Sequence, residues 1–409
     1  MLEAAVMEIR ARMLGFLEGG SSKSDGELRE AIEEEVFRLS RHNHLSADQK
    51  RKLVERVFHS FRGLDILQPL LEDPTITEIM INSHEEIFIE RAGIVTRCED
   101  RFESRQKLED VIQAVVAKVN RTVNESSPIV DARLADGSRV NVVLPPVALK
   151  GPTMTIRKFP PHPMTIGDLI AKGAITAQAA EDLKKLVEGK YNIFIGGGTG
   201  SGKTTFLNAL AGYIPADERI ITIEDSAEVQ IRNIPNLVGL ETRNANTEGR
   251  GEISIRDLIR SSLRMRPNRI LVGEVRGAEA LDMLSAMNTG HEGSISTGHA
   301  NSSADMLSRL ETMVLSGAEL PLAVVRKQIA SALDILIHLS RMRDKSRRVT
   351  EIHEVLGVED GEIRLNPLYL YEEVSGKPPG LVRTGNPLVN ARKLEFAGTS
   401  LSEGRMNVG

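Results

Sequence analysis

Ten residues near the middle of the chain, Gly196 to Thr205, read GGGTGSGKTT and carry the residue types a polyphosphate cradle needs. Gly197 and Gly202 bracket the spacing GxxxxGK[ST], which Lys203 and Thr204 close. Glycines let backbone N–H groups turn inward around an anion with no Cβ in the way. Lys203 can reach the β- and γ-phosphates of a nucleotide, and the Thr204 hydroxyl can ligate Mg²⁺. The candidate ligands of ATP are Gly198, Thr199, Gly200, Ser201, Gly202, Lys203, Thr204 and Thr205. The spacing GxGxxG does not fit these glycines, which argues against a dinucleotide.

Hydrolysis needs a group that orients water and takes its proton, and positive charge on the transferred phosphoryl group. Candidate acids end apolar runs, where an α/β sheet opens its ligand crevice. ITIEDSAE places Glu224, Asp225 and Glu228 at one such end, and RILVGEVRG places Glu274 at another. Either carboxylate could hold Mg²⁺ through water or act as a base. The segment TGHEGSISTGHANS adds His291 and His299, candidates for contact with a γ-phosphate or a neighbouring subunit.

The loop must be positioned by a strand before it and a helix after it. YNIFIGG and KTTFLNALAGYI supply them, and the helix N-terminus contributes unpaired N–H donors. From 163 to 360, apolar runs such as ERIITIED, RILVGEV and GSISTGH alternate with helical stretches, predicting a largely parallel sheet covered by helices on both faces. Ser302 and Asp305 predict the start of a helix that buries Met306, Leu307, Leu310, Met313 and Val314. SALDILIHLSRMRDKSRRVTEIHEV reads as two edge strands around a basic turn.

Residues 66–162 read as an α+β domain. ITEIMIN and EIFIERAG form a hairpin through Ser83, His84 and Glu85, KLEDVIQAVVAKVN a helix, and RVNVVLPP and TMTIRKF two strands. FPPHPM is a linker. Residues 1–65 read as a helical extension, with stripes at Leu28, Ile32, Val36 and Leu39 and at Leu53, Val54, Val57 and Phe61. GGSSKSDG, Gly19 to Gly26, reads as a flexible linker, and Lys50–Lys52 as a solvated basic face. The tail, 361–409, is rich in Pro, Gly and Ser and is expected to be partly disordered.

Composition narrows the function classes. A net charge of −5 gives no global pull toward nucleic acid, and with no Trp and four Tyr there is little to stack on bases. Cys98 is the single cysteine, so a disulfide framework or a multi-cysteine zinc site is excluded and a cytoplasmic setting is expected. The N-terminus has no signal-peptide core, and no apolar run reaches the ~18 residues a membrane span needs.

With these residues in place, the chain resembles the secretion ATPase superfamily of type II secretion, type IV secretion and type IV pili. Four blocks match in order: the Walker A loop, an Asp box ITIEDSAEVQI, an atypical Walker B RPNRILVGEVRG and a His box TGHEGSISTGHANS. ITEIMINSHEEIFIE, DARLADGSRVNVVLPP and GPTMTIRKF resemble the family's N-terminal domain, so the likeness spans residues 70–358. The wording is most similar to the Tad/Flp pilus (CpaF-like) branch. The extension ATPases with a four-cysteine metal module are a poor match for a chain with one cysteine.

The resemblance implies a RecA-like P-loop ATPase domain behind a PAS-like N-terminal domain. It implies a homo-hexamer with nucleotide sites between subunits, at the cytoplasmic face of the inner membrane beside a platform protein. It makes Glu274 the general base, Glu224 the acid that holds water or Mg²⁺, and His299, more weakly His291, the contact to the γ-phosphate. Arg139, Arg157 and Arg133 are the arginines that the N-terminal domain would offer to developing charge, an effect worth about 10³–10⁵ in rate. A type IV secretion or conjugation ATPase, a nucleic-acid translocase and a non-catalytic adapter are the competing readings. The absence of an NKxD guanine-reading motif argues against a GTPase.

Overall fold

In a computed structural model the chain divides into two compact units, Met1–Pro161 and His162–Gly409. The division falls inside FPPHPM. The structure describes residues 2–17, 24–41, 44–118, 122–134, 136–159, 163–243, 245, 250–373 and 380–401.

The first unit opens with three helices, α1 (Leu2–Leu17), α2 (Asp25–Ser40) and α3 (Ala47–Arg62). Ser24 with Glu27, and Ser46 with Gln49, form reciprocal capping boxes that fix where α2 and α3 begin. The predicted stripes meet in one core, where Leu28, Ile32, Val36, Leu53 and Val57 are buried with Ile9 and Met13 of α1. Gly26 lies inside α2 rather than in a linker, and the rest of that segment up to Lys23 is outside the described residues. Arg51 and Lys52 are exposed and pair with Asp48, as a solvated face would.

After a short helix α4 (Leu67–Glu72), the unit forms a six-stranded antiparallel sheet. Its strands are β1 (Ile76–Ile81), β2 (Ile87–Arg91), β3 (Ile94–Arg97), β4 (Ile129–Arg133), β5 (Arg139–Val143) and β6 (Thr153–Arg157), ordered β3-β2-β1-β6-β5-β4. Ile79, Ile81, Ile87, Ile89, Val140, Val142, Met154 and Ile156 alternate inward. Helix α5 (Arg105–Ala117) adds Leu108, Val111, Ile112 and Val115 to the same core.

The second unit begins with α6 (Ile166–Ala171) and α7 (Ala177–Glu188) and is built on a nine-stranded sheet. The elements that follow are β7 (Ile193–Gly197), α8 (Lys203–Ala211), β8 (Ile220–Glu224), β9 (Leu237–Glu241), α9 (Ile255–Ser262), β10 (Arg269–Val272), α10 (Glu279–Asn288) and β11 (Ile295–Gly298). Then come α11 (Ser303–Gly317), α12 (Leu322–Ala332), β12 (Ile335–Arg341), β13 (Arg347–Glu359), β14 (Glu362–Glu372), β15 (Gly380–Arg383) and α13 (Arg392–Phe396).

The sheet order is β15-β14-β13-β12-β7-β11-β10-β8-β9, and β12 through β9 run parallel. The central parallel strands β7, β11, β10 and β8 are buried along their whole length because both faces are covered, whereas edge strand β9 is partly exposed. Ile193 and Ile195 face a core with Leu183, Phe206 and Leu210, while Phe194 between them faces Met306, Leu310 and Ile329. Each such side chain, fully buried, contributes about 1.5–3 kcal/mol.

Two expectations are corrected. The strands around the basic turn are interior, since β12 pairs with β7 and β13 with β14. The tail, expected to be partly disordered, is what covers them: β14, β15 and α13 are formed from it, while 374–379 and 402–409 lie outside the described residues. Long-range polar contacts hold it. Buried Asp182 of α7 accepts from the Tyr369 hydroxyl (2.6 Å) and from Arg383 (2.7 Å). Buried Glu354 of β13 accepts from the N–H groups of Val389 and Asn390 (2.9 and 2.6 Å).

Candidate nucleotide site

Parallel strands end together, so everything that follows β7, β8, β10, β11 and β12 opens on one edge of the sheet. Along that edge the order is β12, β7, β11, β10, β8. It therefore sets Lys203 after β7, His299 after β11, Glu274 after β10 and Glu224 at the end of β8.

The loop is shaped by two constraints. Gly200 (φ 70°) and Gly202 (φ 95°) take the left-handed conformation that favours glycine. At Gly197 an added Cβ would stand 2.5 Å from both the Leu339 carbonyl oxygen and Ser201 Oγ, so β12 and the loop leave room for no side chain. Helix α8 starts at Gly202 with no side-chain cap, which leaves the first-turn N–H groups for an anion. Thr204 and Thr205 are half-buried in that turn.

Lys203 is only 8% exposed, and its Nζ donates to the carbonyls of Gly197 and Gly198, both at 3.1 Å. Its third neighbour is His299 Nδ1, at 3.3 Å. An ammonium has only donors, so Nδ1 is the acceptor and the imidazole carries its proton on Nε2. Burial, then the Lys203 charge, push His299 below the usual imidazole range, against the opposing pull of Glu274, so the ring is neutral at pH 7. Its Nε2 lies 2.7 Å from Glu274 Oε1 but off the N–H direction, and this buried oxygen has no aligned hydrogen-bond partner among the described residues. The other oxygen, Oε2, accepts from Arg276 Nη2 (2.7 Å) and Nε (3.0 Å), and Arg276 also stands 3.6 Å from Asp225.

Buried Ser201 Oγ likewise has no partner among the described residues. A lysine folded onto loop carbonyls, uncapped N–H groups and two under-satisfied oxygens are what a phosphate, its Mg²⁺ and a water would complete. The donor set fits ATP with Mg²⁺: the loop and Lys203 would hold phosphates, and Thr204 the metal.

The remaining candidates are placed differently. Glu224 is 4% exposed, and its Oε2 accepts from the N–H groups of Glu228 (2.7 Å) and Val229 (3.0 Å). That oxygen is committed to the turn after β8, so any hold on water or Mg²⁺ falls to the other one. His291 precedes β11, whose residues span about 10–13 Å at ~3.3 Å each, and so stands at the opposite edge of the sheet from the loop. Its Nδ1 lies 3.3 Å from the Ala286 carbonyl at the end of α10, and the Ser294 hydroxyl donates to the His291 carbonyl. The structure takes His291 out of the phosphate constellation.

In the first unit Arg133, Arg139 and Arg157 are direct cross-strand partners on β4, β5 and β6, so they project from one face as a row. Arg133 also packs over the Phe159 ring, 5.7 Å from its centroid.

Two contacts escaped the sequence. Arg276 was visible two positions beyond Glu274, but nothing assigned it to that carboxylate. Arg347, at the start of β13, donates from Nε to the Gly200 carbonyl at 2.8 Å. Only the pairing of β12 with β7 brings it there.

This sheet order, with a glycine-rich loop between a central parallel strand and its helix, defines a phosphate-loop α/β protein. Residues 61–370 match the family described as Type II/IV secretion system protein, and the chain belongs to that family. It is 37% identical over 308 residues to a putative conjugal transfer protein of Mycobacterium tuberculosis, covering 74% of this chain and 87% of that one. It is 33% identical over 303 residues to the type IV secretion system protein VirB11 of Brucella suis, covering 68% and 84%. In fold it is similar to the ATPase DotB of Legionella pneumophila, with a TM-score of 0.50 and 22% identity over 72% of this chain and 80% of that one. The resemblance read from the four motif blocks is borne out at the level of the type II/IV secretion superfamily. Among the described residues, no helix is long and apolar enough to cross a membrane.

Proposed function

We propose that the chain is the ATP-hydrolysing motor subunit of a pilus or secretion machine. It would act as a homo-hexamer at the cytoplasmic face of the inner membrane beside a platform protein. The observation that carries this reading is the line Lys203–His299–Glu274 along the sheet edge, ending on a buried carboxylate oxygen with no aligned partner.

Lys203 would exchange the Gly197 and Gly198 carbonyls for phosphate oxygens. His299, neutral, would face the γ-phosphate. Glu274 Oε1 would take a proton from the attacking water while Arg276 holds Oε2 in place. Bound Mg²⁺ would neutralise phosphate charge, with Thr204 and the second oxygen of Glu224 as its protein ligands. Arg133, Arg139 and Arg157, a cross-strand row with Glu78 opposite Arg157, would be the first unit's candidates for an anion-facing role. A RecA-like second unit and a PAS-like first unit are the fold readings that go with this. Binding that closes the site and hydrolysis that reopens it would drive the motion, limited by the differential affinity of the two states.

The Tad/Flp pilus reading is supported by the TIRKF and ITEIMIN wording and by the single cysteine. Type IV secretion or conjugation is a second reading of equal standing, supported by relatives named as a conjugal transfer protein and as VirB11. Salt-sensitive stimulation of ATPase by DNA would favour a nucleic-acid translocase over both. The test of the common core is phosphate release with Mg²⁺ and ATP. The parent should turn over and Lys203→Ala should not; activity retained in Lys203→Ala would refute the site.

A further inference from the structure

Arg347 stands outside the four motif blocks, 147 positions from the carbonyl it holds. The β12–β13 hairpin brings it there. β12 runs beside β7 with Leu339 opposite Gly197, passes the end of the sheet, turns at Met342–Ser346 and returns with Arg347 opposite Arg341. The turn has a built geometry: Met342 N–H donates to Ser346 O (2.8 Å), Lys345 N–H to Met342 O (2.9 Å), and Asp344 Oδ1 accepts from the Ser346 N–H and hydroxyl. Arg347 Cδ also lies 3.3 Å from where a Cβ on Gly202 would be, so the side chain lies along the outside of the phosphate loop.

What this contact does follows from the planarity of the peptide. In a trans peptide the C=O of one residue and the N–H of the next point in opposite directions. Arg347 holds the Gly200 C=O outward, which turns the Ser201 N–H inward, where it donates to Gly198 O at 3.3 Å across the loop. Gly200, at φ 70° and without a Cβ, could adopt the flipped plane at little cost. A flip would aim a carbonyl, instead of an N–H, at bound phosphate.

We propose that Arg347 is a positioning residue for nucleotide: it locks the Gly200–Ser201 peptide with its N–H toward the phosphate. This rests on the nucleotide reading of the loop and deepens it.

The test is a titration of the full-length chain with a fluorescent ADP analogue, competed by ADP, alongside steady-state ATP hydrolysis. One charge-assisted hydrogen bond corresponds to about tenfold in affinity. Arg347→Gln should weaken ADP by about tenfold and raise KM for ATP similarly, with kcat within about threefold. Arg347→Lys keeps the charge but puts Cε where the arginine Nε donates, and should lose most of the affinity too. Arg343→Gln, an exposed cation in the same turn, should leave binding unchanged. The ligand-free unfolding midpoint should be unaltered in all three.

Full affinity in Arg347→Gln would overturn the proposal. So would rescue by lysine or an equal loss in Arg343→Gln, which would mean that only charge matters. A lowered ligand-free midpoint in Arg347→Gln would assign the residue to the fold instead. A parent that binds no ADP would remove the nucleotide reading itself, and the proposal with it.

Discussion

Replacing Glu274 by Gln is the sharpest single perturbation of this site. The side chain is 18% exposed, and the amide matches the carboxylate in shape, so the Oε2 position can still accept from Arg276. What is removed is a basic lone pair on the oxygen with no aligned partner. A positioned general base contributes about 10²–10⁴ in rate, or about 3–5 kcal/mol at 1.36 kcal/mol per tenfold. Fold stability should change little. Arg276 is 63% exposed, and a solvent-screened pair of this kind is worth about 0–1 kcal/mol. Nucleotide affinity should stay within about threefold, because the loop and Lys203 carry it and Glu274 touches neither. The assay is single-turnover phosphate release with Mg²⁺–ATP, with binding of a non-hydrolysable analogue measured in parallel. Turnover within about threefold of the parent would refute the base assignment. Lost affinity with intact single-turnover rate would refute the division between loop and carboxylate.

Arg269, fully buried, grips Glu218 (6% exposed) through two bonds of 2.7 and 2.8 Å and donates to the Val187 carbonyl. Arg269→Met should cost about 3–5 kcal/mol in urea unfolding by stranding the carboxylate, and Arg269→Met with Glu218→Met should recover most of it. Burial, first among the causes, also lowers the proton affinity of His338 and His353 as it does for His299. These rings bind protons less readily folded than unfolded, so their contribution to stability is complete above about pH 6.5 and lost as pH falls toward the folded values. The urea midpoint should drop between pH 7.5 and 5.5, and less steeply in His338→Gln; equal slopes would refute the assignment.

The sequence by itself determined the pieces whose cause is local. GGGTGSGKTT needs its glycines and its lysine wherever it is placed, Ser302 with Asp305 starts α11, and the short runs at 193–197, 220–224, 269–272 and 295–298, alternating with helical stretches, read as strands of a parallel sheet. It also put forward Lys203 by its place in the loop, and Glu274 and His299 by the motif blocks that resemble a known family. Only the tertiary structure decided which of them meet. The parallel order β7-β11-β10 joins Lys203 to His299 and His299 to Glu274, and the same parallelism carries His291 to the far edge although only eight positions separate the two histidines. The tail was illegible because its strands are held by Asp182 and Glu354, partners distant in sequence, not by any periodicity of its own. Arg347 on the phosphate loop was hidden for the same reason: hydrogen bonds between strands depend on register, and register is a property of the assembled sheet.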